Sequence, residues 1–176
     1  MKIALFGATG FVGTYILDSL VEHGHEPTVL VRENSEGKLS QPGKCRIVTG
    51  DIHNEQAINE TILGAECVIY NIGIIRQFPK QGITFEELHF EGAKRTIDSA
   101  VKQNVKRFIL MSANGVKPKG TDYQRTKYKA EMYLKKTKLN WTIFRPSLVF
   151  GPPREKIEFC TQLRDDLIDL PLPAPL

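Results

Sequence analysis

Little in this chain is built for disulfides, membranes or metals. Its 176 residues include three cysteines, Cys45, Cys67 and Cys160, scattered, odd in number and without a C-x-x-C pair. That pattern argues against a disulfide framework and a cysteine zinc site, and it points to a reducing, cytoplasmic setting. No apolar run approaches the ~20 residues that span a bilayer. Apolar strand begins at residue 2, where a signal peptide would place a charged stretch. The net charge is only +4, and the lysines at 127, 129, 135, 136 and 138 come without aromatic interleaving or a nucleic-acid motif. They read as a solvated helix face, so no nucleic-acid partner is expected. His23 and His25 lack a third ligand, so no metal is expected, and His53 and His89 stand isolated.

What the chain does have is a glycine loop in the right setting. The apolar run Lys2–Phe6 leads into Gly7-Ala-Thr-Gly10-Phe-Val-Gly13, and apolar residues Val12, Ile16, Leu17, Leu20 and Val21 then recur at helical spacing. A strand, a G-x-x-G-x-x-G turn and a helix together form a dinucleotide phosphate site. The first glycine permits a sharp turn, the second lets the pyrophosphate approach the backbone, and the third lets helix and strand pack closely. The helix start offers free N–H groups and its positive end. Gly7, Thr9, Gly10, Phe11, Val12 and Gly13 are the expected cofactor contacts in this loop.

Strands are predicted at 2–6, 27–31, 45–49, 66–71, 106–111 and 141–146, and helices at 11–23, 54–63, 85–103, 123–138 and 155–168. This alternation predicts an α/β fold with a doubly wound parallel sheet, a Rossmann fold, whose ligands lie beyond the carboxyl ends of the strands. Residues 1–150 form the nucleotide-binding domain. Residues 151–176 read as the start of a substrate lobe or a docking tail, so that any C-terminal lobe is truncated or minimal. The apolar, proline-rich stretch 169–176 is expected to pack on a missing lobe or a protein partner.

The chemical candidates follow strand ends. Arg32 stands where folds that prefer NAD place a carboxylate, and it can grip a ribose 2′-phosphate, which favours NADP(H) while leaving NAD(H) open. The adjacent Glu33 is the counter-candidate. Asp51 and Ile52 follow the third strand. Asp51 can accept from the adenine amino group or belong to the next helix cap. Asn71 and Gly73 follow the fourth, with Gly73 leaving room for the nicotinamide-side ribose, and Pro146 follows the sixth, near the carboxamide.

Ser112, Tyr123 and Lys127 are the catalytic candidates. Tyr123 and Lys127 share a helix face at i and i+4, and Thr121 with Gln124 fits a capping box that places Tyr123 in the first turn. Helix start and ammonium are both expected to lower the phenol pKa toward neutrality, making it a general acid or base. Lys127 can also hold the ribose, and Ser112 would hydrogen-bond the reacting oxygen.

The ordered set Gly7-x-x-Gly10-x-x-Gly13, Gly50-Asp51, Ser112, Tyr123-x-x-x-Lys127, Arg145-Pro146 and Gly151-Pro152 resembles the short-chain dehydrogenase/reductase superfamily. It is most similar to the extended and atypical branches, the NAD-dependent epimerase/dehydratase and NmrA-like groups, which include relatives of the complex I 39 kDa subunit. The resemblance implies an NAD(P)(H)-binding oxidoreductase, or an epimerase or dehydratase, acting on a small molecule that the sequence leaves unnamed. The alternative is a non-catalytic NADP(H)-binding scaffold or sensor that docks on a protein. Three departures favour that alternative: the short interval from Ser112 to Tyr123, Leu88-His89-Phe90 where extended members often carry Asn, and the near absence of a C-terminal domain.

Overall fold

The computed structural model describes residues 1–152 and 159–168. Six strands, Lys2–Phe6 (β1), Glu26–Val31 (β2), Arg46–Thr49 (β3), Cys67–Tyr70 (β4), Arg107–Met111 (β5) and Asn140–Phe144 (β6), form one sheet in the order β3-β2-β1-β4-β5-β6. Every pairing is parallel. The helices are Phe11–Glu22 (α1), Glu55–Ile62 (α2), Gly92–Lys102 (α3), Asp122–Lys135 (α4) and Phe159–Ile168 (α5). This is the expected doubly wound sheet, and its strand order reverses between β1 and β4, where such folds bind ligands.

The central strands alternate their apolar residues between two cores. Ala4, Phe6, Val68, Tyr70, Phe108 and Leu110 face α2, α3 and α4, meeting Ile58, Ile97 and Leu134. Ile3, Leu5, Val29, Val31 and Ile69 pack with Leu17 of α1 on the opposite face. Burial on both faces explains why these strands read as continuous apolar runs. Toward β6 the packing thins among the described residues, leaving Phe144 about half exposed and Phe150 73% exposed.

Local signals set the helix ends. Asn54 caps α2 by accepting from the Ala57 N–H at 3.0 Å, and Thr121 and Gln124 form the expected reciprocal box at the start of α4. Gly24, with φ +70, follows the C-cap of α1. The predicted helix 85–103 is two elements, a π-helix at Glu86–Glu91 that runs into α3. The join sits hard against the sheet. A Cβ on Gly92 would lie 2.6 Å from both Ile52 Cγ1 and the Tyr70 hydroxyl, which itself donates to the Leu88 carbonyl at 2.7 Å. The predicted segment 155–158 and the stretch 169–176 lie outside the described residues.

Candidate functional site

The glycine loop closes the β1 end of the site. Gly7 has φ +94, and a Cβ there would come within 3.0 Å of the Asn71 carbonyl, so the loops after β1 and β4 meet backbone to backbone. A Cβ on Gly13 would lie 1.9 Å from the Gly7 oxygen. Gly10 differs: a Cβ there would meet only the Gly7 oxygen, at 3.6 Å, and so would project into open space. Gly10 is also the N-cap of α1 and supplies no capping side chain, which leaves the first-turn N–H groups for a ligand. This cradle fits a dinucleotide phosphate. Thr9 and Val12 flank it half-buried, and Phe11 packs edge-on to Tyr15, whose hydroxyl donates to the Pro152 carbonyl at 2.7 Å. The chain after β6 is thereby drawn back over the start of α1.

Arg32 and Glu33 are both exposed immediately after β2. Asp51 turns its Oδ1 onto the His53 N–H at 2.8 Å, in an Asx-type turn, while Asn54 does the capping. Ile52 is buried beneath this loop.

At the other end, Gly73, His89, Tyr123 and Lys127 come together. A Cβ on Gly73 would lie 3.2 Å from Lys127 Nζ and 3.8 Å from His89 Nε2. Lys127 is buried and donates to the Met111 carbonyl at 2.8 Å. Desolvation pulls its pKa down to about 8, against the opposing pull of the Glu131 carboxylate. Tyr123 packs edge-on to Phe85 and to His89, with ring centres 5.6 and 5.1 Å away. Burial raises the Tyr123 pKa, the reverse of the lowering expected from the helix start and Lys127. The lysine ammonium points to Met111 and Gly73, and the ring lies among other rings, so desolvation decides the direction.

His89 is not isolated. It is buried on the π-helix, accepts from the Ile74 N–H at Nε2 (3.1 Å) and places Nδ1 3.2 Å from the Thr126 hydroxyl. With Nε2 accepting, the proton sits on Nδ1 and is donated to Thr126, which passes its own to the Asp122 carbonyl at 2.8 Å. Burial, then the neighbouring Lys127 charge, push the His89 pKa down to about 3, so the ring is neutral. Its only sequence-level trace was its place in the stretch after the fourth strand that departs from the family pattern.

Ser112 directly follows β5. Its hydroxyl is buried and donates at 2.5 Å to Glu131, a fully buried carboxylate that Arg145 grips through two nitrogens at 2.9 and 2.5 Å. The Ser112 hydroxyl thus spends its proton on Glu131 in this structure. It ties the end of β5 to α4. Burial alone would raise the Glu131 pKa, but the hydrogen bonds from Arg145 and Ser112 outweigh it and hold the carboxyl below its ordinary value. Pro146 is half-buried, and its carbonyl accepts from the Asn114 N–H at 2.8 Å.

Residues 7–166 match the model of the NAD(P)H-binding family. Across 152 residues the chain is 31% identical to the mitochondrial NADH-ubiquinone oxidoreductase 40 kDa subunit of Neurospora crassa, covering 84% of this chain and 40% of that one. It is 29% identical over 151 residues to a ceramide reductase of Caulobacter vibrioides, covering 85% and 47% of the two chains. The chain thus spans less than half the length of each of these relatives. An NAD-dependent epimerase/dehydratase structure from Bacillus halodurans superposes with a TM-score of 0.75 at 28% identity, over 86% of this chain and 72% of that one. Among the described residues no helix is long and apolar enough to cross a membrane.

Proposed function

The chain belongs to the NAD(P)H-binding family, in the extended branch of the short-chain dehydrogenase/reductases, and from that premise we propose that it is an NADP(H)-dependent oxidoreductase acting at a carbonyl or alcohol carbon. Epimerase or dehydratase chemistry is a variant of the same step. The observation that carries this reading is the convergence of Tyr123, His89, Lys127 and Gly73 at the end of the site opposite the glycine loop. The loop 7–13 and the start of α1 would hold the pyrophosphate, Arg32 the 2′-phosphate, the 51–52 segment the adenine, and Asn71, Gly73, Lys127 and Pro146 the nicotinamide half. When bound, the cofactor supplies or takes the hydride at the substrate carbon.

The protein's part is the proton. Burial keeps the Tyr123 phenol protonated, so in the reductive direction it gives that proton to the carbonyl oxygen as negative charge develops there. The rings of Phe85 and His89 fix the plane of the phenol. NADPH absorbance read against a panel of aldehydes, ketones and nucleotide sugars tests this. Turnover that falls in Tyr123→Phe supports it, and a folded, NADPH-binding protein inactive on the whole panel counts against it.

A second reading is a cofactor-binding scaffold. It is favoured by the engaged Ser112 proton and by the exposed Phe144 and Phe150 beside β6. Here NADPH would raise the melting temperature by mass action without being consumed.

A further inference from the structure

We propose that Arg95 and Glu87 are positioning residues for the adenine half of the cofactor, a role that rests on the nucleotide-binding reading above. The loop after β3, residues 51–53, lies at the carboxyl edge of the sheet and has few ties of its own. Asp51 bonds within the loop, and Asp51 and His53 are exposed. Two side chains from outside fix it. Arg95, in the first turn of α3, donates through Nε to the Ile52 carbonyl at 2.9 Å. Its other arm pairs with Glu87 on the π-helix, and Glu87 also takes His53 Nδ1 at 3.0 Å. One carboxylate therefore bridges a guanidinium and an imidazole, and the guanidinium reaches on to the loop backbone. The arginine is 25% exposed and the glutamate 29%, so the pair is shielded from much of the solvent that weakens surface ion pairs.

Gly92 completes the clamp. The contact of Ile52 with the helix requires a residue without a side chain at 92, since a Cβ there would fall 2.6 Å from Ile52 Cγ1. Backbone, side chain and flanking histidine of the loop are each held by the π-helix or the first turn of α3. Two residues beyond Glu87 the same π-helix carries His89, which sets the Gly73–Ile74 segment at the nicotinamide end through the Ile74 N–H. A single irregular turn of helix thus fixes both ends of the dinucleotide site, with a separate residue for each.

Calorimetry on the whole chain with the two halves of the cofactor, ADP and reduced nicotinamide mononucleotide, tests this division. Arg95→Leu and Glu87→Gln should each weaken ADP about tenfold, because the released loop must then be ordered on binding, and leave the nicotinamide half unchanged. Glu87→Gln keeps the shape of the side chain and carries the test if Arg95→Leu does not fold. ADP affinity unchanged in Glu87→Gln, or equal weakening of both halves, would overturn the proposal. Failure of the wild-type protein to bind either half would overturn the cofactor reading together with it.

Discussion

Lys127 holds its ammonium 3.2 Å from the point where a Cβ on Gly73 would project. A buried cation is thereby pressed against bare backbone, with the Met111 carbonyl as its hydrogen-bond partner. Such a charge costs folding energy. Its folded pKa is about 8 against an ordinary 10.5, so between those values the unfolded chain binds a proton that the native state lacks.

For that reason stability should rise with pH between about 8 and 10.5 in the wild-type protein, because the penalty for the buried charge disappears as Lys127 deprotonates. Lys127→Met should be flat across that window in this respect and more stable at pH 7 by ~1–3 kcal/mol. Urea melts at pH 7 and pH 10 measure both. The same variant should lose affinity for reduced nicotinamide mononucleotide.

His89 works in the acid range. It is neutral and buried, with a folded pKa of about 3 against 6.5, so stability is lost as pH falls from 6.5 toward 3 while the unfolded chain takes up the proton. The loss should reach ~3–5 kcal/mol. His89→Gln keeps an acceptor for Ile74 and a donor for Thr126, and should unfold at lower pH relative to its own neutral stability. Equal acid midpoints after that correction would refute the assignment.

Tyr123→Phe keeps the edge-on packing with Phe85 and His89. Cofactor affinity should stay the same, and turnover on an identified substrate should fall ~10²–10⁴-fold. Retention of full activity would shift the weight to the scaffold reading.

The proposed preference for NADP(H) rests on Arg32. NADPH should bind ~10–100-fold more tightly than NADH, and Arg32→Ala should erase that ratio mainly by weakening NADPH. Equal affinities in the wild-type protein would remove the basis for the preference.

The glycines of the loop should separate cleanly. Gly13→Ala drives a methyl to 1.9 Å from the Gly7 oxygen and should destabilise the fold by ~1–3 kcal/mol or more. In Gly10→Val the Cβ meets only the Gly7 oxygen, at 3.6 Å, so the melting temperature should hold while phosphate binding is lost.

All six strands were legible in the sequence to within a residue or two: the four inner ones are short apolar runs buried by the packing on the sheet, and the two edge strands, more exposed, follow from the alternation with helices. The capping box at Thr121 was readable for a similar reason: its partners are three residues apart. Contacts that join distant segments were not readable. Nothing local to Ser112 announces Glu131, nineteen residues away, nor does Leu88-His89-Phe90 announce a π-turn braced by Tyr70. The direction of the Tyr123 shift was missed likewise, since local charges argue one way and burial, a property of the assembled fold, argues the other.

The place of β1 in the middle of the sheet has a consequence for how the protein is made. Its neighbours are β2 and β4, and β4 begins at Cys67, so β1 is missing one partner until some sixty further residues have been added. The turn at Gly7 has no Asn71 carbonyl to rest on before then. Within the site, the phosphate loop is thus synthesised some sixty residues before the carbonyl it rests on. Until that closure the apolar run Lys2–Phe6 has an open edge, which exposes it to wrong pairing during folding.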